Sequence, residues 1–315
     1  MQINDLVKAK AKQIRVLYLT TLVLFLPLFV AIYFLYLEDS KKKVQELAQP
    51  EPIEQISINL NNKIQTEAYS AIVVSLNTNS VIYEKNPDKQ LPLASLTKLV
   101  TAKVADDQIN SNNVSVDKMT DFAEYGDARL VENDSWNKKE LIQYTLVTSS
   151  NDGAHSLAQN TKSPENFIQN MNSLVASIGL VNTRFYNETG LDDDSRGVIA
   201  SKGTAADVSK ILSYVIKTDL PLYEKTQHKN INIDTPEGVQ AATNTNEIAD
   251  KIPGLLVSKT GYTDLAGGNL AVVADMGLNE PTAFVVLKSP TKDSRFEDVL
   301  KLQEAYFKQV RERMR

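Results

Sequence analysis

The sequence predicts an α+β fold: one antiparallel sheet of about five strands flanked by helices, with a helical lobe inserted. Two observations carry this. Strand-like segments lie at both ends of the body with amphipathic helical segments between them, and segregated runs build α+β folds rather than parallel wound sheets. The chain has 315 residues, 42% of them hydrophobic and 23% charged, which is ample material for a core.

Val16–Leu37 is an uncharged, mostly apolar run. As a helix it reaches roughly 33 Å, enough to cross a hydrocarbon core of about 30 Å. Tyr18, Tyr33 and Tyr36 lie near its ends, as an interfacial belt does. The run is longer than a signal-peptide core and no small-x-small cleavage site follows it. The expectation is therefore an uncleaved transmembrane helix at 16–37, in contact with membrane lipid. Residues 1–15 form a short cytoplasmic N-terminus, 38–65 an extracytoplasmic stalk containing Pro50 and Pro52, and 66–315 the folded body. The four basic residues Lys8, Lys10, Lys12 and Arg15 ahead of the span place the N-terminus inside the cell membrane and the body outside.

The body opens with a hairpin, Tyr69–Ser75 and Val81–Glu84, around Asn77-Thr-Asn-Ser80. A helix starting at about Ser95 follows, with Leu96, Leu99, Val100 and Val104 at helical spacing. A mixed region runs through Trp136. A segment around Leu141, Ile142 and Leu146 is helical and ends at the polar loop Thr148–Gly153, before a short helix with Ala154, Leu157 and Ala158. Ser163-Pro164 starts another helix, as cap and first-turn proline, and Gly179 stops it. Val208, Ile211, Leu212, Val215 and Ile216 form a further amphipathic helix. Leu255–Thr260, Asn269–Ala274 and Ala283–Leu287 read as strands, the last two joined near Gly277. Phe296, Val299, Leu300, Phe307 and Val310 mark a closing helix.

Composition excludes several chemistries. There is no cysteine, so disulfides, thiolate catalysis and zinc-cysteine sites are out. His155 and His228 are the only histidines, and neither lies in a recognisable nucleophile or metal context. The net charge is −5. Since residues 1–43 hold seven basic side chains against three acidic ones, the body is acidic, which argues against nucleic acid as a partner.

Three short motifs remain. In Ser95-Leu-Thr-Lys98, nucleophile and base stand three residues apart on one helix face. A serine hydroxyl needs a base to become nucleophilic, and a lysine serves once burial lowers its pKa. The same spacing occurs at Ser40/Lys43, Ser115/Lys118, Ser135/Lys138 and Ser289/Lys292, all in polar surroundings. Ser149-Ser-Asn151 lies in a loop between helices, where a hydroxyl and an amide two residues apart can face one cleft; an Asx-type loop or helix cap is the plainer reading. Lys259-Thr-Gly261 ends a strand, where a cation and a hydroxyl can bind a carboxylate and glycine admits a close backbone approach.

In this order the motifs resemble the serine D-alanyl-D-alanine carboxypeptidases, the low-molecular-mass penicillin-binding proteins of peptidase family S11. The resemblance extends from about Tyr69 to Phe307 and includes Met171-Asn172, Ile178-Gly179-Leu180, Gly190-Leu191-Asp192, Asn244-Thr-Asn246, Ile252-Pro-Gly254 and Lys259-Thr-Gly-Tyr-Thr263. It implies a DD-peptidase/β-lactamase-like fold and a serine DD-peptidase catalytic domain at 66–315. It implies Ser95 as nucleophile, Lys98 as general base and Ser149 as proton relay to the leaving amine. Asn151 contacts the substrate backbone, and Lys259, Thr260 and Gly261 belong to the carboxylate-binding strand. The backbone N–H groups of Ser95 and Tyr262 form the oxyanion hole. Peptidoglycan stem peptides are the implied substrate and β-lactams the inhibitors, with no metal or organic cofactor.

Ser150, Ser258 and Gly203-Thr-Ala205 depart from the family's usual residues. A DD-endopeptidase uses the same machinery and is not separable by sequence. A serine β-lactamase of class A needs a deacylating glutamate. Glu165 is the candidate, but it reads as a first-turn acid favoured by the helix dipole. A non-catalytic β-lactam sensor or scaffold is the non-enzyme alternative.

Overall fold

The computed structural model divides into two units, Met1–Ser57 and Ile58–Arg315. It describes residues 58–61, 64–120, 123–192, 197–277 and 279–313 of the larger unit, and 10, 12, 14–16, 23, 25–27, 31 and 33–41 of the smaller one. The described residues of the smaller unit are helical. Among the described residues no helix is long and apolar enough to cross a membrane. Half of the expected 16–37 span, and residues 42–57 of the expected stalk, lie outside the described residues. Residues 58–61 and 64–65, also expected in the stalk, are part of the larger unit. Leu60 is buried there and its N–H donates to Ile82 O at 2.7 Å.

The body starts with the hairpin β1 (Ser70–Ser75) and β2 (Val81–Lys85). The chain then leaves the sheet through β3 (Leu91–Pro92), α1 (Lys98–Gln108), β4 (Asn113–Ser115), β5 (Ser135–Asn137), α2 (Lys138–Thr148), α3 (Asn151–Gln159), α4 (Phe167–Ser177) and β6 (Lys202–Gly203). It returns through α5 (Ala205–Tyr223) and the hairpin β7 (Asn230–Thr235) and β8 (Gly238–Thr243). It finishes with β9 (Leu255–Thr263), β10 (Gly267–Asp275), β11 (Pro281–Ser289) and α6 (Ser294–Arg313). The central sheet is five-stranded and antiparallel, in the order β2-β1-β11-β10-β9. Strands from both ends of the body thus share one sheet, as the sequence predicts.

The sheet is covered on both faces, which is why its inner strands read as continuous apolar runs. In β1, Ile72 and Val74 face the core shared with α5 and the helical lobe, while Ala71 and Val73 face the core shared with α6. Each fully buried Val, Leu or Phe side chain contributes about 1.5–3 kcal/mol. Asp298 on α6 is fully buried and accepts the backbone N–H groups of Glu67 (2.8 Å) and Ala68 (2.7 Å), pinning the entry of β1 to the last helix.

Local signals mostly hold. Gly179 has φ +78°, and the Leu180 N–H to Val175 O and Gly179 N–H to Ala176 O bonds close α4 as a Schellman turn. Ser163 caps nothing with its side chain; Pro164 opens a single 3-10 turn, Pro164–Asn166, that precedes α4. Pro221 sits inside α5, which kinks at Asp219 because proline removes a helical N–H and clashes with the preceding turn.

Candidate active site

Ser95 does not sit in the first α-helical turn. It lies in a 3-10 turn, Ala94–Thr97, that runs directly into α1. Ala94 adopts φ +48°, a left-handed backbone that costs an alanine roughly 1 kcal/mol. The surroundings hold it there. Leu93 N–H donates to Ser201 O at 2.8 Å, and Asn269 Nδ2 donates to Pro92 O (2.9 Å) and Leu93 O (3.1 Å). Two glycines let backbone close in on this turn. A Cβ on Gly190 would lie 1.9 Å from Ala94 O, and one on Gly261 would lie 2.8 Å from Leu93 O and 3.2 Å from Ser95 N. The glycine of the third motif is thus required because β9 runs hard against the Ser95 turn.

Lys98 is fully buried, and its Nζ meets three oxygens: Ser95 Oγ at 3.0 Å, Asn151 Oδ1 at 2.8 Å and Thr189 O at 2.7 Å. Burial pulls its pKa down to about 7, against the opposing pull of the Glu188 carboxylate. A neutral amine has two N–H groups and one lone pair. The two carbonyl oxygens accept the N–H groups, which leaves the lone pair aimed at the Ser95 hydroxyl. That arrangement suits proton abstraction from Ser95.

Ser149 follows α2 with φ +62°, so its side chain projects out of the helix path. Its Oγ accepts from Lys259 Nζ at 2.9 Å, and Lys259 also donates to Thr260 O at 2.9 Å. Ser150, between the two motif residues, is the cap of α3 and accepts from Gly153 N–H at 3.1 Å. Asn151 is divided between Lys98 and the carbonyl of Tyr125, to which its Nδ2 donates at 3.2 Å. Thr260 Oγ1 bonds Thr245 Oγ1 at 2.7 Å. Tyr262, at 39% exposure, faces outward with the Lys292 ammonium 4.6 Å from its ring centroid.

Lys259 is buried, and its pKa falls well below the usual lysine value through burial and the positive charges of Lys98 and Arg295. Arg295 is buried too. Its Nη1 donates to Gly261 O at 2.9 Å, while its Nε is buried without a partner among the described residues. Burial lowers its pKa to about 10, opposed by Glu247 and Asp293. Because a trans peptide is planar, holding Gly261 O on Arg295 turns the Tyr262 N–H the opposite way. Among the described residues neither Lys259 nor Arg295 forms an ion pair. An anion bound beside Lys259 and Arg295 would favour the charged forms that burial disfavours.

The eight residues singled out in the sequence therefore lie on three segments that meet: the Ser95 turn, the α2–α3 junction and the edge strand β9. A family model described as D-alanyl-D-alanine carboxypeptidase matches residues 57–291. The chain belongs to that family, S11. It is therefore a serine DD-peptidase of the penicillin-binding kind, a hydrolase. The D-alanyl-D-alanine endopeptidase of Pseudomonas aeruginosa is 30% identical over 74% of this chain and 75% of that protein. The D-alanyl-D-alanine carboxypeptidase DacF of Bacillus subtilis is 25% identical over 79% of this chain and 64% of that protein. Penicillin-binding protein D2 of Listeria monocytogenes, in its cefotaxime-bound form, superposes with a TM-score of 0.69 at 27% identity, covering 78% of this chain and 98% of that one.

Sequence reasoning about this S11 site missed five residues in or beside it. Thr189 acts through its carbonyl, which no side-chain pattern reveals. Thr245 lies in a segment noted only for its likeness. Arg295 is an unremarked basic residue at the start of α6. His155 and Glu188 pair behind Lys98 at 2.8 Å. Glu165 stands exposed on the turn before α4, where it accepts from Asn166 Nδ2. The lysines of two other Ser-x-x-Lys copies have structural duties: Lys118 donates to Asp127 O and Leu130 O, and Lys138 to Asp106 O and Ile109 O.

Proposed function

We propose that this chain is a membrane-anchored serine D-alanyl-D-alanine carboxypeptidase that trims the terminal D-alanine from peptidoglycan stem peptides and is acylated by β-lactams. The observation that carries the reading is the threefold coordination of Lys98 Nζ, which leaves a lone pair for Ser95. Lys98 takes the Ser95 proton as Oγ attacks the carbonyl of the penultimate residue. The N–H groups of Ser95 and Tyr262 receive the developing oxyanion, commonly the largest electrostatic contribution in acyl transfer. Ser149 Oγ accepts from Lys259, so its own hydrogen is available for the departing amine. The buried cations Lys259 and Arg295, with Thr260, bind the terminal carboxylate. Water then hydrolyses the ester and frees Ser95. The apolar run at 16–37 supports a membrane anchor that holds this domain outside the cell membrane.

A second reading, the DD-endopeptidase, is favoured by the name of the Pseudomonas aeruginosa relative. The terminal D-alanine carries a carboxylate beside the departing amine, and a cross-link whose departing amine does the same would use the same groups. Incubation with cross-linked peptidoglycan, followed by mass spectrometry, separates them. Release of D-alanine with cross-links intact supports the carboxypeptidase; loss of cross-linked dimers supports the endopeptidase. Fluorescent penicillin is expected to label the protein and to fail on Ser95→Ala, and equal labelling of that variant refutes the nucleophile assignment.

A further inference from the structure

The pair His155–Glu188 has no part in the chemistry above, yet it adjoins both groups that hold Lys98. His155 lies one turn beyond Asn151 on α3, so the two share a helix face. Glu188 immediately precedes Thr189. Asn151 Oδ1 and Thr189 O are the two carbonyls that accept from Lys98 Nζ, at 2.8 and 2.7 Å. The bond from His155 Nδ1 to Glu188 Oε1, at 2.8 Å, therefore ties together the two elements that clasp the amine. Thr101 Oγ1, one turn along α1 from Lys98, fixes the Glu188 carbonyl at 2.6 Å. The side chains are 23% and 16% exposed, so the link is shielded from solvent but not sealed.

We propose that His155 and Glu188 form a positioning pair that sets the proton affinity of Lys98, and with it the pH range in which Ser95 is acylated. The inference rests on Lys98 being the base, as argued above. An ionised Glu188 favours the ammonium form of Lys98, and a protonated His155 offsets that carboxylate. The bond to Glu188 holds the imidazole pKa above its usual value, and His155 with Lys98 holds the Glu188 pKa below its own despite burial. The other charges facing the pair are few. Asp117 and Asp152 face His155, with Lys118 at 3.7 Å from Asp152, and Lys259 faces Lys98. Removing one member of the pair should therefore shift Lys98 in the direction opposite to removing the other. A pair that merely braces the loop cannot produce opposite shifts.

The test is the second-order rate of labelling by a fluorescent penicillin from pH 5 to 9, in the full chain and in Glu188→Gln, His155→Gln and the double variant. In Glu188→Gln the acid limb should move down by about one pH unit, since the carboxylate that favours the ammonium is gone. In His155→Gln it should move up by a similar amount, since the carboxylate is no longer offset. The double variant, a neutral amide pair, should return close to the parent. Thermal melting of each variant reports whether it folds, and the double variant preserves the hydrogen bond if a single one does not. Coincident limbs in folded variants, or limbs that move the same way, overturn the pair's role and leave the acyl-enzyme reading intact. No labelling of the parent at any pH overturns both.

Discussion

Replacing Gly261 by alanine tests whether the third motif's glycine is there for close approach. The added Cβ would meet Leu93 O at 2.8 Å, Ala94 Cβ at 3.2 Å and Ser95 N at 3.2 Å, whereas ordinary contact begins at 3.4 Å. Two obstacles are backbone atoms and the third is a Cβ fixed to backbone, and Asn269 and Ser201 hold the chain at Leu93, so none swings aside. Strand β9 must therefore retreat from the Ser95 turn by roughly half an ångström, with overpacking of about 1–3 kcal/mol. For a domain of this size that lowers the melting temperature by about 3–10 °C. The larger effect falls on chemistry, because displacing catalytic groups by fractions of an ångström costs about 10- to 100-fold in rate. Stopped labelling with fluorescent penicillin measures that rate and differential scanning fluorimetry measures the melt. Gly179→Ala is the control: φ +78° strains it by about 1 kcal/mol, but nothing lies within 4 Å of its Cβ and the site is untouched. Parental labelling rates in Gly261→Ala, or equal loss in both variants, would refute the reasoning.

Three other outcomes are expected. Acylation needs neutral Lys98, whose pKa is lowered to about 7, so labelling should fall about tenfold per pH unit below that value and level off above it; a flat profile from pH 5 to 8 contradicts the base assignment. Lys259→Ala should lower kcat/KM on a D-Ala-D-Ala peptide by about 30- to 1,000-fold, whereas Arg295→Gln, which keeps a donor for Gly261 O, should lose about tenfold, both read by D-alanine release. Asp298→Ala should destabilise the domain by about 2–4 kcal/mol by orphaning the Glu67 and Ala68 amides, seen as a lower urea midpoint with normal labelling of the folded fraction.

Much of the fold was legible because burial follows period. The strands at both ends, the stop at Gly179 and the closing helix all show in apolar spacing. The hairpin β7–β8 escaped because Asn230-Ile-Asn-Ile-Asp-Thr235 and its partner are largely exposed and polar, with few apolar anchors. The start of the Ser95 helix was misplaced because sequence spacing does not separate a 3-10 turn from an α-turn; the left-handed Ala94 is imposed by Gly190 and Asn269, which are distant in sequence. The motif side chains were legible as chemistry. What surrounds them was not: a carbonyl at Thr189, a guanidinium on α6 and a histidine without sequence context become meaningful only when the chain brings them to Lys98 and Gly261.

The pairing of β1 with β11 joins Ser70 to Leu287 and Ser75 to Thr282, so the sheet closes only when nearly the whole body has been synthesised. Contacts this distant along the chain make assembly slow, since a very long loop must be closed before they are rewarded. Until then the β9–β10 hairpin has no sheet to join, so the sheet does not yet hold Lys259 and Gly261 against the Ser95 turn. A ribosome-bound or truncated polypeptide ending before β11 would carry every motif residue and still lack a reactive serine.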